Sequence, residues 1–292
     1  MGPPTSGGTG PGDGSGNGAG TGPSETYTHG HHESVLRSHR WRTVENSAAY
    51  LVPHLQRGAR VLDVGCGPGT ITADLAARVA PGEVVGIDAA ADIVDAARAT
   101  APSVESGGTS TSLRFDTGDV YALDFPDGSF DVVHAHQVLQ HLSDPVAALR
   151  EMRRVCAPDG LVAARDADYA AMTWAPAVAE LDEWMELFQL VTRTNGGEPD
   201  AGRRLLGWAH AAGFSRVVPS ASVWCFATPE DRSWWGELWA DRTVSSSFGT
   251  GALELGIADA ARLARIAAGW RRWSTSDDGW FAVLHGEILA SP

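Results

Sequence analysis

Val61-Leu-Asp-Val-Gly-Cys-Gly-Pro-Gly-Thr70, followed by Ile-Thr-Ala-Asp-Leu-Ala-Ala-Arg78, decides the fold. The apolar residues Val61, Leu62 and Val64 suit a strand buried in a parallel sheet. Gly65, Gly67 and Gly69 then make a tight loop in which the backbone can approach a ligand with no Cβ in the way. The loop feeds the amino end of a helix, whose unpaired N–H groups attract electron-rich partners. Strand, glycine loop and helix in this order open a βαβ unit.

Dinucleotide sites use a similar loop, but their fingerprint wants a third glycine three residues after the second, and Thr70 stands there. Asp63 sets a carboxylate two residues before the first glycine, which suits a cationic or amine-bearing cofactor better than a pyrophosphate. Downstream, Glu83-Val-Val-Gly-Ile-Asp88 reads as a second buried strand ending in an acid, after the stop at Pro81-Gly82. Asp88 lies 19 residues beyond Gly69, about the interval at which a carboxylate at the tip of strand two reaches ribose hydroxyls. Leu113 to Asp119 repeats the pattern of a strand with an acid at its end. Phe125-Pro-Asp-Gly-Ser-Phe-Asp131 is a turn into strand four, Phe130 to Ala135, and His136, Gln137 and His141 follow where that strand's carboxyl end opens on a ligand crevice. Asp144 and Pro145 cap the next helix, which runs to about Cys156, and Leu161 to Arg165 reads as strand five.

The glycine loop resembles motif I of the class I S-adenosylmethionine-dependent methyltransferases, and the Phe125 to Asp131 stretch resembles the same family's strand-four signature. The resemblance covers about residues 50 to 165 and is closest to the small-molecule branch that includes ubiquinone and menaquinone biosynthesis enzymes. It implies a doubly wound α/β sheet of seven strands, the last antiparallel, with S-adenosyl-L-methionine as cofactor and no metal. It further implies that Asp119 accepts a hydrogen bond from the adenine amino group and that the backbone of Val120 meets a ring nitrogen. Cofactor contacts are therefore expected from Asp63, Gly65, Gly67, Gly69, Asp88, Asp119, Val120 and Gln137. In related enzymes the segment before motif I folds over cofactor and substrate, which makes Tyr27 a further cofactor residue and His31 and His32 substrate residues. His141 first, and His136 second, are the candidate general bases, each able to titrate near neutral pH.

The flanks divide the rest. Residues 1 to 24 hold ten glycines and four prolines with Asp13 as the sole charge, a composition expected to stay disordered. Residues 25 to 58 are expected to form an N-terminal lid, helical from about Ser34 to Leu55, residues 59 to 167 the cofactor-binding core, and residues 168 to 292 the remainder of the sheet. Within that remainder, a helix over Ala177 to Thr194, a helix over Ala201 to Ala212, and strands over Phe214 to Phe226 and Gly279 to Ala290 are predicted. Stretches of about 168 to 199 and 228 to 278 exceed what the minimal fold needs and read as a substrate cap. Seven of the eleven tryptophans fall between Trp224 and Trp280. Most should glue the cap together, with Trp184 and Trp235 the candidates for touching an apolar or aromatic substrate.

Other classes are set aside on composition. A net charge of −14 argues against nucleic acid as the main partner, and the arginines Arg262, Arg265, Arg271 and Arg272 read as the solvated flank of an amphipathic helix. The histidines His29, His31, His32 and His39 have no acid or thiol at a recognisable ligand spacing. Cys66, Cys156 and Cys225 are scattered, so an arsenite-type methyltransferase with clustered thiols is not indicated. No apolar run suggests a membrane span and no basic-then-apolar start suggests secretion, so the expectation is a cytoplasmic enzyme on a small molecule, with a homodimer left open. A non-catalytic S-adenosylmethionine-binding protein and a dinucleotide oxidoreductase are the alternatives.

Overall fold

The computed structural model describes residues 39–101, 105–106, 109–110 and 112–292. The glycine-rich tail and the lid residues Tyr27, His31 and His32 lie outside the described residues.

The expected βαβ unit is there: β1 (Arg60–Val64), α1 (Thr70–Val79), β2 (Glu83–Asp88), α2 (Ala91–Thr100) and β3 (Ser112–Thr117). The chain continues through β4 (Phe130–His136), α3 (Pro145–Val155) and β5 (Cys156–Ala167). A short β6 (Thr173–Ala175), α4 (Ala179–Thr194), α5 (Leu205–Ala212) and β7 (Arg216–Phe226) follow, then α6 (Pro229–Ser245), α7 (Ser247–Glu254), α8 (Ala260–Ser274) and β8 (Trp280–Ser291). Strands lie in the order β3-β2-β1-β4-β5-β8, with β7 on the far side of β8 and β6 extending the β5 side. The first five strands are mutually parallel, and β8 runs antiparallel to both β5 and β7. This is the doubly wound sheet with a reversed last strand that the sequence predicts.

Alternation along the strands builds two layers. Val61, Val84, Val132 and Ala163 pack against Ile71, Leu75 and Val79 of α1 on one face. Leu62, Val85, Val133 and Val162 pack against Leu149 and Met152 of α3 and Leu205 and Ala209 of α5 on the other. Both faces being covered explains why the strands read as continuous apolar runs. Asp144 caps α3 as expected, accepting from the backbone of Ala147 at 2.9 Å.

The flanks depart from expectation in three places. In place of one helix to Leu55, the described part of the N-terminal segment is helical at residues 39–40, breaks, and then holds one turn, Val44–Ser47, closed by a capping box between Thr43 and Asn46, and a 3-10 turn at Val52–His54 around Pro53. Proline cannot supply the N–H that a continuing helix needs. The helix expected over Ala201 to Ala212 begins as a 3-10 turn, Ala201–Arg204, because Gly202 lies against the backbone of Gly286 and Asp166, too close for any side chain. Strand five starts five residues early, since Cys156 pairs with Phe130 before Leu161 takes up the register with Val132.

The two inserted stretches meet above the β7–β8 end of the sheet in a second core of aromatic rings. Trp184, Trp239, Trp270 and Trp273 are fully buried there beside Phe188, Phe248 and Phe281. On the outside of this layer Arg262 and Arg265 bond Glu183, Arg271 bonds Glu237, and Arg272 reaches Glu180.

Candidate active site

The three loop glycines have left-handed backbones, φ +66°, +54° and +82° at Gly65, Gly67 and Gly69. Their surroundings differ. A Cβ on Gly65 would overlap Val138, and one on Gly69 would lie 2.6 Å from Phe115, so these two admit protein neighbours rather than a ligand. Gly67 alone of the three has room for a Cβ, which would make ordinary contact with His39 Nδ1 at 3.6 Å. Asp88, at the tip of β2, accepts from Gly67 N–H at 3.1 Å and from Ala90 N–H at 3.0 Å, which holds its carboxylate beside the loop. Asp119 is exposed one strand over and accepts from the backbone of Tyr121 at 2.9 Å. Open glycine backbone and two carboxylates at neighbouring strand tips fit an adenosyl group with its ribose hydroxyls and its amine.

Asp63 does not join them. It is 3% exposed, with Oδ1 2.7 Å from His134 Nδ1 and Oδ2 accepting from the Thr72 hydroxyl at 2.5 Å. Both oxygens are engaged within the protein, so this carboxylate ties β1 to β4 and α1 instead of facing a cationic ligand.

Beside the loop, at the carboxyl end of β4, Gln137 has φ +54°, an uncommon conformation for a residue with a side chain. Its backbone N–H donates to the Arg165 carbonyl at 2.7 Å. Its side-chain oxygen accepts from the Arg42 guanidinium, and its amide nitrogen lies 2.9 Å from His285 Nε2. His285 Nδ1 lies 3.2 Å from the Val283 carbonyl and donates to it, leaving Nε2 to accept from Gln137. Those roles require a neutral ring, and burial with the Arg165 and Arg42 charges nearby holds the His285 pKa well below the usual histidine range.

Arg42 was not legible as a site residue. The described N-terminal segment lies across the loop: the Thr70 hydroxyl donates to the His39 carbonyl at 3.2 Å, Val44 N–H donates to Asp74, and Trp224 Nε1 donates to the Asn46 carbonyl at 2.5 Å. Between this segment and the cap is a narrow cavity of about 30 Å3. His39, Arg42, Gln137 and His141 form its wall on the side of the glycine loop. Trp224, Trp235, Trp239, Tyr169 and Arg242 are among those on its cap side. Arg242 is 4% exposed, its guanidinium 5.1 Å from the centre of the Trp239 ring.

Trp235 thus reaches the cavity, stacked 4.1 Å from Phe226. Trp184 does not line it; its ring is wedged between Trp239 and Trp270, at 4.6 and 4.8 Å, inside the cap core. His141 lines the cavity with Nε2 3.0 Å from the Gln140 amide nitrogen, but burial, then Arg42, push its pKa down to about 3, so the ring is neutral throughout the physiological range. His136 stands behind the wall, 5% exposed between Trp224 and His285, and burial depresses its pKa strongly. Neither histidine titrates near neutrality as expected, because the sequence could not show how completely the lid and cap dehydrate them.

A buried ionic group supports the wall. Arg165 pairs with Glu287 at 3.2 Å, bonds Ser222 at 3.0 Å and lies 4.8 Å from the Trp224 ring centre. Asp166, fully buried, accepts from the Gln140 backbone at 3.1 Å, and burial raises its carboxyl to about 7. Among the described residues no group of three or more His, Cys, Asp or Glu side chains could hold a metal ion, and no helix is long and apolar enough to cross a membrane.

Known proteins share this architecture. A family described as "Methyltransferase domain" matches residues 62–164. An uncharacterized methyltransferase of Schizosaccharomyces pombe is 36% identical over 269 residues, 90% of this chain and 95% of its own. A probable methyltransferase of Aspergillus luteorubrus is 29% identical over 287 residues, 90% of this chain and 96% of its own. The YcgJ protein of Bacillus subtilis superimposes with a TM-score of 0.52 at 23% identity, over 83% of this chain and 96% of that one, a likeness of fold.

Proposed function

The chain belongs to the S-adenosylmethionine-dependent methyltransferases, and from that premise we propose that it methylates an apolar or aromatic small molecule that approaches along the ring-lined wall beside Gln137 and His141. The dinucleotide oxidoreductase alternative falls with the family. The observation that carries the reading is the left-handed Gly67 with the Asp88 carboxylate held against it, and a ring-lined cavity that reaches the same loop through His39.

In this reading Asp88 binds the ribose hydroxyls, Asp119 and the Val120 backbone bind the adenine edge, and the Gly67 backbone lies along the amino-acid portion. Arg42, anchored on Gln137, meets the cofactor's carboxylate. Bound S-adenosylmethionine supplies a methyl carbon already activated by its sulfonium. The chain's contribution is alignment: the stiff Gln137 turn and the aromatic wall hold an acceptor atom in line, which is worth roughly 7 kcal/mol or more when the geometry is near attack. His141, neutral, orients the acceptor through hydrogen bonding and has no charge of its own to lose. Trp235 contacts the ring of the substrate. In this reading the chain is akin to the small-molecule branch that includes the quinone-biosynthesis enzymes, supported by the Phe125 to Asp131 signature.

Calorimetry with S-adenosylhomocysteine tests it. The Asp88→Ala variant should lose at least tenfold in affinity, whereas His141→Asn should bind normally and slow turnover. Unchanged affinity in the Asp88 variant removes the ribose assignment.

A further inference from the structure

We propose that His285, on the last strand, is a positioning residue for the cofactor site: it fixes which end of the Gln137 amide faces the N-terminal segment, and that amide seats the segment across the glycine loop. The inference rests on the methyltransferase reading above and adds to it a residue that acts on the cofactor only through others.

His285 is fully buried on β8 and does not line the cavity, whereas Gln137 and Arg42 do. A side-chain amide has a donor end and an acceptor end of nearly one shape, so its neighbours decide which way it points. Two neighbours decide here, and they agree. His285 Nδ1 donates to the Val283 carbonyl at 3.2 Å, which leaves Nε2 as an acceptor 2.9 Å from the Gln137 amide nitrogen. The Arg42 guanidinium, which has donors and no acceptor, bonds the amide oxygen. Turned over, the amide would set its oxygen against the Nε2 lone pair and its N–H groups against a cation. The base of the residue is fixed as well. Gln137 N–H donates to the Arg165 carbonyl at 2.7 Å, and the Arg165 side chain is held by Glu287 and Ser222.

What the amide holds is the stretch of chain that crosses the loop. Three residues before Arg42, His39 lies over Gly67, its Nδ1 3.6 Å from where a Cβ on that glycine would be. Four residues after Arg42, the Asn46 carbonyl accepts from Trp224, whose ring lies 4.3 Å from that of His285. His285 therefore stands behind both anchors of the segment. Without an acceptor at Nε2 the buried Gln137 N–H group loses its partner, the amide turns, and the Arg42 anchor goes with it. The damage should fall at the Gly67 end of the cofactor site. Asp88 and Asp119 are held by the backbone of Ala90 and Tyr121 in their own turns and do not depend on the segment.

Calorimetry on the full-length protein with two nucleosides separates the ends of the site: S-adenosylhomocysteine carries the amino-acid portion, and 5′-methylthioadenosine lacks it. H285F removes the acceptor and keeps a ring, while H285Q returns a polar atom to the Nε2 position. In H285F the affinity for S-adenosylhomocysteine should fall about tenfold and that for 5′-methylthioadenosine by less than about twofold. Amide hydrogen exchange at Ser47 and Ala48, whose N–H groups close the turn after Arg42, should be faster by about tenfold. H285Q should match the wild type in all three measurements. Melting curves verify folding, and H285N, whose amide reaches only the Nδ1 position, replaces H285F if that variant does not fold. Unchanged S-adenosylhomocysteine affinity in H285F overturns the proposal, as does an equal loss of both ligands, which is what a merely structural role would give. So does H285Q behaving like H285F, since ring packing and not the acceptor would then matter. Wild-type protein that binds neither ligand sinks the methyltransferase reading instead, and the exchange rates then decide alone whether His285 seats the segment.

Discussion

The two halves of this molecule make their sites by opposite means. Around the glycine loop the chain removes side chains: Gly65 and Gly69 let Val138 and Phe115 press against bare backbone, and Gly67 keeps one face open. In the cap it does the reverse, packing six tryptophans and four phenylalanines into one core, as with Trp184 against Trp239 at 4.6 Å and Phe226 against Trp235 at 4.1 Å. The first arrangement tolerates no added atom, and the second no removed one. In the proposed reading, cofactor recognition is thus bound to short-range backbone geometry, and substrate recognition to long-range packing that can be re-cut without touching the sheet.

Removing a ring is the hardest test of that contrast. Trp184→Ala should cost about 3–5 kcal/mol, the range for deleting a fully buried aromatic side chain. If the halves are separable, the folded fraction should still bind S-adenosylhomocysteine while losing turnover, read by calorimetry and a methyl-transfer assay on the same preparation. Equal loss of both would make the cap part of the cofactor site and erase the distinction.

Adding an atom is the complementary test. Gly65→Ala should cost about 2–4 kcal/mol, combining a left-handed backbone with overlap on Val138. Gly67→Ala shares the left-handed backbone but meets nothing closer than 3.6 Å, so about 1 kcal/mol is expected. Its larger effect should be on S-adenosylhomocysteine affinity, because the new methyl group enters the open face. Denaturant melts of the pair that came out equal would show that strain alone, without the clash, governs the loop.

The smallest effect concerns the seam between the halves. His285 bonds Gln137 on one side and lies 4.3 Å from the Trp224 ring on the other, and its pKa is held well below the usual value by burial. In the unfolded chain the ring takes up a proton below about pH 6.5, and in the folded chain it does not. Its contribution to stability is therefore full above about pH 6.5 and declines as the pH falls, by about 1.4 kcal/mol per unit. His136 and His141 act in the same sense, and Asp166, raised to about 7, acts against them, since its folded form keeps a proton that the unfolded form has lost above about pH 4. Melting temperature should drop on going from pH 7 to pH 5, and His285→Gln should make that drop shallower. A drop of the same size in wild type and variant would mean that the seam histidine is not kept neutral by folding.

Much of the sheet was legible because its signals are local. The apolar run of β1, the Pro81-Gly82 stop, the Asp144–Pro145 cap and the acids at the ends of β2 and β3 each depend on residues within one turn or one strand. Asp88 beside Gly67 follows from the same short-range logic. What was misread depends on who packs against whom. Asp63 looked like a ligand for a cation, and only the approach of His134 from β4 and Thr72 from α1 shows where its oxygens go. His136 and His141 looked titratable until the lid and cap closed over them. Trp184 and Trp235 are indistinguishable on paper; one faces other tryptophans and the other a cavity.

The amino-acid sequence by itself determined the winding of the sheet, the glycine turn and the strand-tip acids, since backbone propensity and the two-residue period of a strand act between near neighbours. Tertiary structure alone decided that Arg42 and Arg242 line one ring-lined cavity and that the His141 beside them is held well below the usual histidine range by burial. Those outcomes are set by dehydration and by charges brought together from opposite ends of the chain, and neither quantity exists until the chain has folded.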